Sequence, residues 1–179
     1  ASLPAAEAVE ALLPVLRDRS PVVREAAALS LARHDPPDLF ERVRPLLDGA
    51  PDETRREIQA ALGQAFAQLA LNDLAQDLER ALRRAPQAIE FDPATATHLS
   101  LRAIVHLYVG NFENCIADCE ASLRLEPQRA STISLMAFAL TRAGKADQAL
   151  AHANRAIEID PDYLNFSQRG FVLLALGKT

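Results

Sequence analysis

The stretch CIADCEASLRLEP (115–127) superposes without a gap on ALRRAPQAIEFDP (81–93) and on ALAHANRAIEIDP (149–161). The closing prolines, Pro93, Pro127 and Pro161, are evenly spaced, at i, i+34 and i+68. The outer copies share Ala81/Ala149, Leu82/Leu150, Ala85/Ala153, Ala88/Ala156, Ile89/Ile157, Glu90/Glu158 and Asp92/Asp160. Upstream, Gly110 and Gly144 each stand at i−17 from their proline, and Ala103 and Ala137 each at i−24. Glycine at a helix end supplies a left-handed turn, and proline cannot continue a helix. A small residue, a glycine turn and a proline stop therefore describe two helices per unit, repeated.

Composition agrees with an all-helical chain. Of 179 residues 49% are hydrophobic and 24% charged, glycine and aromatics are few, and Leu and Ala outweigh the β-branched types. That mixture favours helix almost everywhere and predicts no sheet. The net charge of −5 is carried by residues 1–93, with 11 basic and 16 acidic side chains, while residues 94–179 hold 8 of each. Neither half has the basic excess of a nucleic-acid binder. No apolar run approaches the roughly 20 residues that span a bilayer. The opening ASLPAAEAVEALLP carries acids where a signal peptide carries a basic segment. The missing initiator Met and the ending LALGKT lead us to expect a piece of a longer protein.

The repeated helix-turn-helix unit, with its i+34 period, small residue, turn glycine and closing proline, resembles the tetratricopeptide repeat. The resemblance covers 94–127 and 128–161, and LNFSQRGFVLLALGK adds a partial unit over 162–179 with Gly170 and Gly177 in the small and turn slots. The N-terminal third follows another period. LLPVLRDRSPVVREAAALSLAR (12–33) superposes on VRPLLDGAPDETRREIQAALGQA (43–65) at a spacing of 30 to 31. An apolar helix, an Asp turn, proline and an Ala-rich helix, carried by Asp18, Pro21, Val23, Arg24, Ala27 and Leu31, resemble HEAT repeats; the second copy has Thr54 in place of Val23. We therefore expect HEAT-like repeats over 1–60, a degenerate junction repeat over 61–93, and tetratricopeptide repeats over 94–179. The junction is read as helical from about 73 to 91, either bent at Pro86 or broken there. Stacked antiparallel helix pairs predict an α-solenoid, an elongated curved rod whose core runs along its length.

Cys115 and Cys119 lie one helical turn apart and align with Ala149/Ala81 and Ala153/Ala85, which makes them small apolar residues of the buried line of a helix. The rival reading is zinc, with His106 as a third ligand, but a structural site takes four ligands and no fourth is evident. No metal and no cofactor are expected.

In the resembled family the exposed face of each first helix lines a concave groove. The residues falling there are Thr97, Ser100, Ile104, Leu107 and Tyr108, then Ser131, Ser134, Phe138, Thr141 and Arg142. This small-polar and apolar surface with one cation suits an extended peptide or an amphipathic helix of another protein. Phe138 and Ile104 read equally well as packing between neighbouring repeats. A subset of the family grips C-terminal carboxylates of chaperones with Lys, Asn and Arg. The matching slots here hold Ser100, Ile104, Leu135 and Ser131, so no such clamp is expected.

Nothing points to catalysis. His34, His98, His106 and His152 fall in different units with no Ser or acid at a recurring offset, and GFVLLALGKT has Val172 where a phosphate loop requires glycine. Arg55, Arg56, Arg80, Arg83 and Arg84 are interleaved with Glu53, Glu57, Asp77 and Glu79, the pattern of a solvated face with i,i+4 pairs. The sequence reads as a non-catalytic, cytoplasmic interaction scaffold; the alternative is a regulatory or substrate-docking arm of a larger enzyme. The apolar last helix, FVLLALG, has no second helix to cover it, and a second copy of the chain seated there would make a homodimer.

Overall fold

The computed structural model describes residues 4–74 and 76–178, which form α-helices, one 3-10 segment and no strand. The chain divides into two compact units, Ala1–Pro93 and Ala94–Thr179.

The first unit holds α1 (Ala5–Leu12), a 3-10 segment (Leu13–Arg17), α2 (Pro21–His34), α3 (Leu39–Asp48), α4 (Asp52–Asp73) and α5 (Leu78–Phe91). Proline opens α2 at its first position, where its missing N–H has no helical partner to lose. Asp35 ends the helix in the left-handed region at φ 47°. The apolar faces follow helical spacing: Leu39, Val43 and Leu47 on α3, and Ile58, Leu62, Phe66 and Leu69 on α4, all buried. Phe91, at the end of α5, stacks on Phe66 with ring centroids 5.6 Å apart and meets Phe40 at 5.5 Å. The junction helix is thereby fixed into the HEAT-like core.

Two expectations change here, and the alternative of a break at Pro86 is set aside. The boundary set between residues 60 and 61 falls inside α4, which runs unbroken for 22 residues and packs against both α2 and α5. The junction helix begins at Leu78 rather than near 73, after Asp77 caps it by accepting from the Arg80 N–H at 2.9 Å. Pro86 lies within α5 without ending it. Its ring is exposed, so the carbonyl that it leaves without a donor is on the side open to water.

The arginines also depart from a purely solvated face. Arg84 is only 6% exposed; it pairs with Asp73 Oδ2 at 2.5 Å and donates to Ala32 O at 3.4 Å, tying α5 to the ends of α4 and α2. Arg24, buried as well, donates to the carbonyls of Asp18 and Arg19 and pairs with Glu57 at 3.2 Å. Arg55 donates to the carbonyls of Leu47 and Ala50. Arg56, Arg80 and Arg83 stay on the surface, as read from the sequence.

The second unit is α6 (Ala96–Tyr108), α7 (Phe112–Leu125), α8 (Ala130–Arg142), α9 (Ala146–Ile159) and α10 (Tyr163–Ala175). The bounds of α6 and α7 recur one full repeat later in α8 and α9. Gly110 and Gly144 turn the chain at φ 77°, a conformation that a Cβ disfavours, and Gly177 does so at 64°. Ala103, Ala137, Ala149 and Ala153 form one core with Cys115, Cys119, Met136 and Leu140. Asp162 caps α10 by accepting from the Asn165 N–H at 2.7 Å.

Candidate functional site

The ten residues expected in the groove separate by depth. Thr97, Tyr108, Ser131 and Arg142 are exposed, and Ile104, Leu107 and Phe138 are half-buried. Ser100, Ser134 and Thr141 are buried, and none of these three can face a ligand in this arrangement. Ser100 Oγ lies 2.8 Å from Ser122 Oγ and 2.7 Å from Thr132 Oγ1 and donates to Ala96 O, so its hydroxyl joins α6, α7 and α8. Ser134 is its counterpart in the next repeat, where Ala156 stands in place of Ser122, and the Ser134 Oγ has no partner. Thr141 donates to Ala137 O of its own helix.

What remains open is an aromatic and cationic cluster at the C-terminal ends of the first helices. The Arg142 guanidinium lies over the Phe112 ring at 5.2 Å and over the Phe138 ring at 6.0 Å, and Phe138 meets Phe171 at 5.0 Å. Both ring contacts hold the cation in place without neutralising it. Among the described residues no carboxylate pairs with it. Tyr108, one repeat earlier at the position of Arg142, is 66% exposed. The sequence reading missed Phe112 and Phe171. Phe171 could have been found by continuing the Ile104, Phe138 series, whose last step is shorter by a single position.

A second polar group lies between α6 and α7. Asp118, 6% exposed, accepts from Arg102 Nε at 2.8 Å and Nη2 at 2.6 Å, a bidentate pair that strengthens the hold of Arg102 on its proton. His106 Nε2 is 3.7 Å from the same carboxylate, yet burial, together with the Arg102 charge, holds the imidazole below its ordinary value. Cys115 and Cys119 are free, buried thiols. Their mutual hydrogen bond and their burial push Cys119 far up, which favours a neutral thiol over the thiolate that a metal needs. Among the described residues no three His, Cys, Asp or Glu side chains are placed to hold a metal ion, and no helix is long and apolar enough to cross a membrane.

Comparison with known proteins finds both kinds of repeat. Residues 1–63 match the family model for HEAT repeats. A stretch of 83 residues is 32% identical to Hsp70-Hsp90 organizing protein 1 of Glycine max, covering 46% of this chain and 14% of the length of that relative. Among solved structures, the second TPR domain of human RPAP3, in complex with the HSP70 peptide SGPTIEEVD, superposes with a TM-score of 0.59 at 19% identity, over 65% of this chain and 97% of that one. MamA of Desulfovibrio magneticus RS-1, residues 41 to end, superposes with a TM-score of 0.58 at 18% identity, over 97% of this chain and 86% of its own. At such identities the likeness is one of fold. Residues 1–63 thus carry HEAT repeats, and the C-terminal unit carries the tetratricopeptide-repeat fold.

Proposed function

We propose that the chain is a non-catalytic interaction scaffold whose C-terminal unit receives a peptide or an amphipathic helix of another protein. The observation that carries this is Arg142, an exposed guanidinium held between Phe112 and Phe138 with, among the described residues, no carboxylate against it. Such an arrangement offers a ligand one charge partner and an apolar bed at the same point, the combination from which interface anchors are built. The binding face is narrower than the sequence implied: Tyr108, Ile104, Phe138 and Arg142, with Thr97 and Ser131 at the rim. Nucleic acid is not among the partners we propose, because Arg24, Arg55 and Arg84 are engaged by carbonyls and carboxylates of their own unit. We place the protein in the cytoplasm on the composition and the two free thiols.

The RPAP3 domain holds a peptide ending in acidic residues. In this chain the slots matching the carboxylate clamp hold Ser100, which is buried, and Ile104, Leu135 and Ser131, none of them basic. We therefore propose a different ligand end-group. Calorimetric titration with SGPTIEEVD should give no binding tighter than about 1 mM; micromolar affinity would establish the clamp. For the groove itself, partners captured by the wild-type chain should be lost by a Tyr108→Ala/Phe138→Ala variant of unchanged circular dichroism. Capture indifferent to both changes would defeat the proposal.

A further inference from the structure

The two first helices that line the groove hold no acid: neither α6 (ATHLSLRAIVHLY) nor α8 (ASTISLMAFALTR) contains Asp or Glu. The acids of residues 94–161 stand on the second helices and the turns. Several of them are already engaged by cations of the same unit. Arg102 takes both oxygens of Asp118, Arg129 pairs with Glu126 at 2.8 Å, and Lys145 reaches Glu113 Oε1 at 2.9 Å and Oε2 at 3.0 Å. The last pair bears on the groove, because Glu113 is the chain neighbour of Phe112, the ring beneath Arg142, and Lys145 occupies both of its oxygens.

Arg142 is left charged by this arrangement. The Phe112 and Phe138 rings hold its guanidinium in place, yet they supply no oxygen for the planar fork of N–H donors that an arginine presents to a carboxylate. The surface beside it is apolar, with Tyr108 exposed and Ile104 and Phe138 half-buried. One guanidinium matches one carboxylate. A phosphate carries up to about two negative charges near neutral pH and would call for a second cation, whereas Lys145 of the same repeat is taken by Glu113. The end of a chain fits less well than a side chain, because the slots that grip a terminal carboxylate hold Ser100, Ile104, Leu135 and Ser131.

We infer, on the strength of the groove reading above, that the ligand presents an internal Asp or Glu side chain to Arg142, within one helical turn of an aliphatic or aromatic side chain that rests on Ile104, Tyr108 and Phe138. The carboxylate fixes the register of the ligand through the bidentate pair, and the apolar side chain supplies the anchor. An acid-free segment would leave the guanidinium covered and unpaired, so the same residue that admits an acidic ligand selects against a neutral one.

Random peptides fused through their C-terminus to a phage coat protein probe this directly, since they offer side-chain carboxylates and no terminal one. Selection on the whole chain should enrich peptides with an acid close to an apolar side chain. Selection on Arg142→Glu, checked for unchanged circular dichroism, should replace that acid by Lys or Arg. For the best binder, made with blocked ends and titrated by calorimetry, changing its acid to the amide or the protein by Arg142→Gln should each weaken binding about tenfold, and the two together should weaken it no further. Enriched peptides that lack an acid but are lost on Tyr108→Ala/Phe138→Ala would overturn the carboxylate and leave the groove standing. Failure to enrich any peptide, or peptides indifferent to both the Arg142 and the Tyr108/Phe138 variants, would overturn both.

Discussion

Arg24 and Arg55 occupy matching places in the two HEAT periods, and each donates to the carbonyl five residues earlier: Arg24 Nη1 to Arg19 O at 3.1 Å and Arg55 Nη2 to Ala50 O at 3.3 Å. The same clasp closes the turn ahead of α2 and ahead of α4, although Thr54 replaces the Val23 of the first copy. Their surroundings differ, because the Arg24 side chain is 8% exposed and that of Arg55 is 40% exposed. Arg24→Met should therefore destabilise the first unit by about 1–3 kcal/mol, leaving the part-buried carbonyls of Asp18 and Arg19 without their donor. Arg55→Met should cost less than about 1 kcal/mol. Urea denaturation followed by circular dichroism ranks the two.

Phe91 holds the junction helix to the HEAT-like core through Phe66 and Phe40. Phe91→Ala removes a ring that is 1% exposed and should cost about 3–5 kcal/mol. Amide exchange should report the loss across α4 and α5 together, since the ring that joins them is gone.

The Ser100 hydroxyl belongs to the interior, which separates it from the groove residues. Ser100→Ala should lower stability by about 1–2 kcal/mol, through the partners left at Ser122 and Thr132. Partner binding at saturating protein should be unchanged, whereas Arg142→Ala should weaken binding without lowering the melting temperature.

Burial leads the lowering of both His106 and His152, so the folded state takes up their protons less readily than the unfolded chain does. Stability of the second unit should then be highest above the ordinary imidazole value of about 6.5 and fall as the pH drops below it. Melting temperatures measured from pH 7.5 to 5.5 should show this fall. A His106→Gln/His152→Gln variant should flatten it.

Cys115 and Cys119 should resist a thiol reagent such as Ellman's in the native protein and react fully in urea, because both are fully buried and the Cys119 thiol is held protonated. Rapid native labelling would mean that α7 opens away from α6.

The repeat frame was legible because proline and glycine mark it chemically: Gly110 and Gly144 adopt the left-handed turn that their spacing implied, and the small slots Ala103 and Ala137 are buried. The HEAT-like period expected over residues 1–60 was legible in the same way, from Pro21, Arg24 and Leu31, and the family model matches residues 1–63. The α4 helix was not, because residues 61–73 satisfy the pattern of either repeat and helical periodicity carries no mark where one repeat hands over to the next. Within the groove, sequence position alone ranked Ser100 with Tyr108. Their difference comes from Ser122 and Thr132, distant in the chain, which only the folded helices bring near. Arg84 was read as surface for a similar reason: its partners Asp35 and Ala32 lie far back in the chain.

The undivided α4 bears on how such a chain can gain or lose length over evolutionary time. Duplicating or deleting one helix pair anywhere between Ala96 and Ile159 returns every helix to an equivalent neighbour, so that half can change its repeat number by simple recombination. No comparable unit exists across Asp52–Asp73, where one helix serves both as the last of the HEAT period and as the mate of α5. A crossover there would leave half a helix on each product, and lineages of this protein should vary in repeat number on the C-terminal side while keeping α2, α4 and α5 as an indivisible block.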